Sequence, residues 1–208
     1  HGVVSPAVFI PIAEEHKLDS AIGLQALEAA CDYISIMESQ QGDAIPLSVN
    51  ISANQMLDPE FPNQAMSICM DNDVSPEFIE LELTESVFIR DEKSALRALN
   101  TLREHGFRLS LDDFGSGMSS YAYLKALPVD YLKIDGMFVK DILVDPIDMA
   151  MVKSINEIGN IFGLKTIAEF VENIDIMAEL KSLGVDFAQG YAISKPVAIT
   201  NLLTASTQ

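Results

Sequence analysis

The chain has 208 residues, 49% of them hydrophobic, which is enough for one large core or two small ones and unlike the composition of a disordered segment. Its formal net charge of −18 argues against a nucleic-acid backbone or an anionic membrane face as the main partner, and an anionic substrate would need bound cations to offset the repulsion. No apolar run approaches the roughly 20 residues of a membrane span, and the opening His1-Gly2-Val3-Val4-Ser5-Pro6 lacks the regions of a signal peptide, so a cytoplasmic location without membrane insertion is expected, alone or as the cytosolic part of a larger sensor.

In chain order, the opening reads as a loop. Apolar residues then recur at helical spacing over 18–37, and Cys31 in that stretch, like Cys69 further on, has no metal-ligand spacing; both read as buried thiols of a reducing compartment. The β-branched run 45–51, bounded by Gly42 and Asp43, predicts a strand. Helix is expected over 62–72, strand over 78–83, and helix over 91–105 stopping at Gly106. A strand at 107–111 leads into the Gly/Ser-rich turn Gly115-Ser116-Gly117-Met118-Ser119-Ser120 and a helix ending before Pro128. Strand 131–134, helix 145–162 ending at Gly163, strand 165–168, helix 173–183 ending at Gly184 and strand 185–188 complete the series.

Strict β/α alternation with short loops requires parallel strands joined by crossover helices. No Gly-x-Gly-x-x-Gly follows a strand, which weakens a nucleotide-binding open sheet and favours an α/β fold of the TIM-like (β/α)8 barrel type. Such a barrel needs eight strands, and only about six are evident, so residues 1–208 are expected to form a single domain whose first strand or two lies upstream of His1.

Asn50, Glu82, Asp112 with Asp113, Lys133, Glu169 and Gln189 each stand at the carboxyl end of a different predicted strand, where barrel active sites are built. Carboxylate and amide oxygens suit Mg²⁺, Mn²⁺ or Ca²⁺, whereas His1, His16 and His105 form no ligand pattern. Taken singly, Asn50 reads as a strand-end amide, Asp112 or Asp113 as a turn or cap residue, and Glu82 as a solvated edge-strand residue. Lys133 inside Tyr131-Leu132-Lys133-Ile134 is different, because a buried ammonium requires carboxylate partners. Asp113-Phe114-Gly115 matches the magnesium triplet of protein kinases, but no glycine-rich loop, strand-borne lysine or His-Arg-Asp loop accompanies it. The glycines after it suit a loop bending over the site, or a rigid turn.

With these residues in place, nearly the whole chain resembles the EAL-domain cyclic-di-GMP phosphodiesterases. The matching pieces are Phe9-Ile10-Pro11-Ile12-Ala13-Glu14-Glu15, Ser48-Val49-Asn50-Ile51-Ser52, Glu82-Leu83-Thr84-Glu85-Ser86, Asp112-Asp113-Phe114-Gly115-Ser116-Gly117, Leu132-Lys133-Ile134-Asp135, Ala168-Glu169-Phe170-Val171-Glu172 and Gln189-Gly190-Tyr191. The resemblance implies a barrel with two Mg²⁺ or Mn²⁺ ions that hydrolyses cyclic-di-GMP to linear pGpG in bacterial signalling. Asn50, Glu82 and Asp112 would be metal ligands, and Asp113 would serve the second metal. Lys133 would orient the nucleophilic water, and Glu169 would act as second-metal ligand or general base. Glu172 and Gln189 would support substrate or metal water, and Glu85 would hold the 113–120 loop. It also implies a homodimer. The family's Glu-Ala-Leu motif and the arginine after it are expected before His1. Phe170 stands where the family usually has glycine, and a ring there implies crowding of a guanine or altered loop closure. The alternative function is a catalytically inactive cyclic-di-GMP receptor; a structural barrel with an incidental acidic mouth is the third.

Overall fold

The computed structural model describes residues 4–42, 44–115 and 124–200. It has α/β architecture with parallel strands, and it falls into two compact units, His1–Arg108 and Leu109–Gln208.

The first unit opens with α1 (Pro6–Glu15), where the sequence reads as a loop. Its apolar residues are contiguous rather than periodic, Pro11 lies inside it, and among its buried residues is Ala13 alone, so the usual signals of an amphipathic helix are missing. Pro6 at the first helical position suits the helix, because its missing N–H would have no intrahelical partner there. Next come α2 (Asp19–Gln41), β1 (Leu47–Asn50), α3 (Ala53–Leu57), α4 (Phe61–Asp71), a 3₁₀ turn (Pro76–Phe78), β2 (Ile79–Thr84) and α5 (Ser86–Glu104). Strands β1 and β2 pair in parallel, with Leu47 opposite Ile79 and Asn50 opposite Glu82. Leu27, Cys31 and Ile34 of α2, Phe61, Ala65 and Cys69 of α4, and Ile79, Leu81 and Leu83 of β2 are buried in this unit's core. The Cys31 and Cys69 sulfurs lie 3.8 Å apart as free, fully buried thiols, as the sequence predicts. A break inside α5 at Asp91 (φ −156°, ψ 90°) marks where the sequence predicts that helix to begin. The Asp91 carboxylate accepts from the Ser94 backbone N–H at 3.1 Å and its hydroxyl at 2.7 Å, restarting the helix as a cap would.

The second unit contains β3 (Arg108–Phe114, its first residue at the unit boundary), β4 (Tyr131–Ile134), a short α6 (Gly136–Val139), α7 (Pro146–Phe162), β5 (Lys165–Ala168), α8 (Ile174–Ser182) and β6 (Phe187–Ala188). Neighbouring strands pair in parallel in the order β3, β4, β5, β6. Side-chain caps start the helices: Asp135 accepts from Met137 N–H, Asp145 from Ile147 N–H, and Asn173 from the N–H groups of Asp175 and Ile176. The helices ending near Gly106, Gly163 and Gly184 stop where predicted, with left-handed φ values of 98°, 75° and 80°. The last strand is shorter than the expected 185–188. Asp186 turns its carboxylate to the Thr166 N–H at 3.0 Å and the Lys165 ammonium at 2.6 Å, tying the chain to β5 before ladder pairing begins. The predicted Gly/Ser turn from Ser116 onward, and most of the helix after it, lie outside the described residues.

Candidate functional site

In the second unit the ends of β3, β4 and β5 bring three predicted residues into contact. Lys133, only 2% exposed, places its ammonium 2.8 Å from Asp112 Oδ1 and 3.0 Å from Glu169 Oε1. This is the carboxylate pairing that a lysine in an apolar strand demands, since an unpaired buried ammonium would be strongly destabilising.

Asp113 joins the group by breaking strand geometry. On a regular strand, adjacent side chains point to opposite faces. Here Leu111 pairs with Leu132 but Phe114 pairs with Ile134, so three steps along β3 match two along β4. The extra residue is a β-bulge, and Asp113 adopts the left-handed conformation, φ 54°. One carboxylate oxygen from each of Asp112, Asp113 and Glu169 lies within 4.8 Å of the others. This donor set fits a hard divalent cation, which takes carboxylate oxygens, and offers nothing to metals that prefer thiolate. Burial pushes Glu169 up to about 7; Asp112 and Asp113 add to the shift and Lys133 opposes it.

Glu172 and Gln189, both exposed, line a pocket of about 460 Å³ together with Glu169, Phe170, Tyr191 and Lys195. Gln189 is held there by its backbone, whose N–H donates to Ala168 O at 2.8 Å and whose carbonyl accepts from Val171 N–H at 3.0 Å. Sequence reasoning did not single out Gly136 or Lys195, because neither carries an unusual signal until the fold sets one against Phe170 and the other against Tyr191.

In the first unit, Asn50 and Glu82 stand opposite each other at the carboxyl ends of β1 and β2, and Ile51 N–H donates to Glu82 O at 2.8 Å. Beyond Asn50 the chain enters α3 through a reciprocal cap. Ser52 Oγ accepts from Gln55 N–H at 3.1 Å, and Gln55 Oε1 accepts from Ser52 N–H at 3.2 Å. Glu82 is 7% exposed between fully buried neighbours, so the solvated edge-strand reading fails. Glu85 is 8% exposed at the start of α5, and most of the loop it was expected to hold lies outside the described residues.

Residues 1–196 match the family model described as EAL domain. The chain is 39% identical over 194 residues to the cyclic di-GMP phosphodiesterase PdeB of Shewanella oneidensis, covering 93% of this chain and 22% of that one. It is 32% identical over 195 residues to the probable cyclic di-GMP phosphodiesterase PdeA of Escherichia coli, covering 94% of this chain and 27% of that one. It thus spans about a quarter of the length of these curated relatives. Among solved structures, it is similar to the PaMucR phosphodiesterase in complex with c-di-GMP, with a TM-score of 0.92 and 33% identity, covering 97% of this chain and 82% of that one. It is equally similar to the enzyme Bd1971 with cAMP and cyclic-di-GMP bound, with a TM-score of 0.93 and 34% identity, covering 99% of this chain and 56% of that one. The shared fold is a TIM-like barrel, as the β/α alternation predicts.

Proposed function

Because the chain belongs to the EAL domain family, we propose that it is a cyclic-di-GMP phosphodiesterase domain that opens the cyclic dinucleotide to linear pGpG. The observation that carries this reading is the buried Lys133 ammonium held between Asp112 and Glu169, with an Asp113 oxygen in the same carboxylate group. Asn50, Glu82, Asp112 and Asp113 would be ligands of the divalent ions. Bound Mg²⁺ or Mn²⁺ would offset the phosphate charge and acidify a water. Lys133 orients that water for in-line attack on phosphorus, and Glu169 receives its proton. Glu172 and Gln189 position the substrate, and the leaving 3′ oxygen takes up a proton as the ester bond breaks. Residues 1–208 act as one domain of a larger cytoplasmic signalling protein and pair as a homodimer, which sedimentation velocity would test.

The decisive experiment incubates the protein that carries this chain with cyclic-di-GMP and Mn²⁺ and separates the products by chromatography. Linear dinucleotide that disappears in Glu82→Ala and Asp112→Ala is expected; no linear product at saturating metal overturns the reading. The receptor alternative draws support from Phe170, whose ring occupies the pocket wall beside Glu169, and it predicts tight binding without turnover.

A further inference from the structure

We propose that Gln55, seated against Gly23, is a positioning residue that fixes the direction of Asn50 at the end of β1. The inference deepens the phosphodiesterase reading and rests on it for Asn50 as a ligand of a divalent ion, but not for the contacts that hold the turn.

Asn50 is exposed, and among the described residues none hydrogen-bonds its side chain. Where its amide points therefore depends on the backbone to either side. Before it, β1 is paired with β2 as far as Asn50 opposite Glu82. After it, the next two peptide groups are pinned by different elements. Ile51 N–H donates to Glu82 O of β2 at 2.8 Å, and Ser52 N–H donates to Gln55 Oε1 of α3 at 3.2 Å. Of these restraints only the last comes from a side chain, so a substitution can remove it and leave the strand ladder intact.

Gln55 is an unusual residue for a simple helix cap. It is 2% exposed, although glutamine is mostly a surface residue. Its Nε2 is buried without a hydrogen-bond partner among the described residues, a desolvation cost that leucine in the same place would not carry. Gly23, buried inside α2, makes the placement possible, because a Cβ there would overlap Oε1, Nε2 and Cδ of Gln55. Glycine inside a helix is itself less favourable than alanine. Two features that weaken the fold thus converge on one acceptor oxygen, which holds the peptide two residues beyond Asn50. Metal ligands are oriented by the groups behind them, and a fixed amide here serves that end.

Calorimetric titration of Mn²⁺ into the protein that carries this chain gives the reference affinity. Gln55→Leu removes the acceptor and should weaken Mn²⁺ binding by about 10- to 100-fold, the range expected when a partner behind a metal ligand is lost. Gly23→Ala should weaken it similarly with Gln55 still present, because the methyl displaces the amide, while its melting temperature should not fall, since alanine favours the helix. The double variant should bind no worse than Gln55→Leu, and in an Asn50→Ala background Gln55→Leu should have no further effect. Gln55→Glu keeps an acceptor at the cap and should bind Mn²⁺ more tightly than Gln55→Leu does.

Unchanged Mn²⁺ affinity in Gln55→Leu, or an undiminished further loss when it is added to Asn50→Ala, overturns the positioning role and leaves the phosphodiesterase reading standing. Where Gln55→Leu unfolds, Gly23→Ala decides: affinity equal to that of the unsubstituted protein overturns the role. Variants that lose Mn²⁺ as expected, in a protein that forms no linear dinucleotide, support the role and overturn the reading. Failure of the unsubstituted protein to bind Mn²⁺ overturns the role as well.

Discussion

At the scale of single residues, Lys133 and Glu169 define what the second unit can do and what it costs in stability. Lys133→Met leaves Asp112 and Glu169 without their shared ammonium; a loss of about 2 kcal/mol is expected by urea unfolding at pH 8, shrinking at pH 5.5 as Glu169 accepts a proton. Glu169 itself holds its proton to about 7 instead of 4.5, so between these values the folded state binds more protons than the unfolded chain and stability falls as pH rises. Glu169→Gln should therefore unfold at a higher temperature than the unsubstituted protein above pH 7, with the two converging near pH 4.5. Equal melting temperatures at both pH values would refute the shift. Lys133 was legible in the sequence because an ammonium amid apolar strand residues has few physical solutions. The seat of Phe170 was not, because Gly136 and Phe170 are 34 positions apart and meet only through the β4 to β5 register.

Among the elements, strand β3 shows most clearly where periodicity ends and geometry begins. Its sequence locates Asp112 and Asp113 at a strand end, but the bulge that admits Asp113 to the carboxylate group depends on pairing with β4 and has no local signature. Asp113→Gly should preserve stability, because the left-handed backbone suits glycine, while calorimetry should show Mn²⁺ binding at least tenfold weaker. Asp113→Val should additionally lose about 1–2 kcal/mol, since a β-branched residue resists φ 54°. A second local test falls on α5. Asp91→Ala removes the cap at the break and should cost about 1 kcal/mol, with no effect on metal binding. Apolar periodicity made α2 and α4 readable within a few residues, and the Asp145 and Asn173 caps did so for α7 and α8. Helix α1 escaped because its apolar residues form one run and few of them are buried, with Val8 57% and Ile12 52% exposed.

For the molecule as a whole, a net charge of −18 sets the background against which every local effect is measured. Divalent ions bind the folded chain alone in the proposed function, so millimolar Mn²⁺ should raise the melting temperature, by about 2.7 kcal/mol of stabilisation at a hundredfold excess over its dissociation constant. Asp112→Asn should abolish most of that rise in scanning fluorimetry. An equal response to Mn²⁺ in both proteins would mean that surface carboxylates, not the proposed centre, take up the ion. The sulfurs of Cys31 and Cys69 extend this to the two compact units separately. Both cysteines of the chain lie in His1–Arg108 and are fully buried; the mutual hydrogen bond together with burial pushes the Cys31 thiol up while that same bond lowers Cys69, so burial rather than protonation keeps a reagent from them. A thiol-specific dye must therefore wait for the α2 and α4 packing to part, and its uptake rate becomes a built-in clock for the breathing of the first unit.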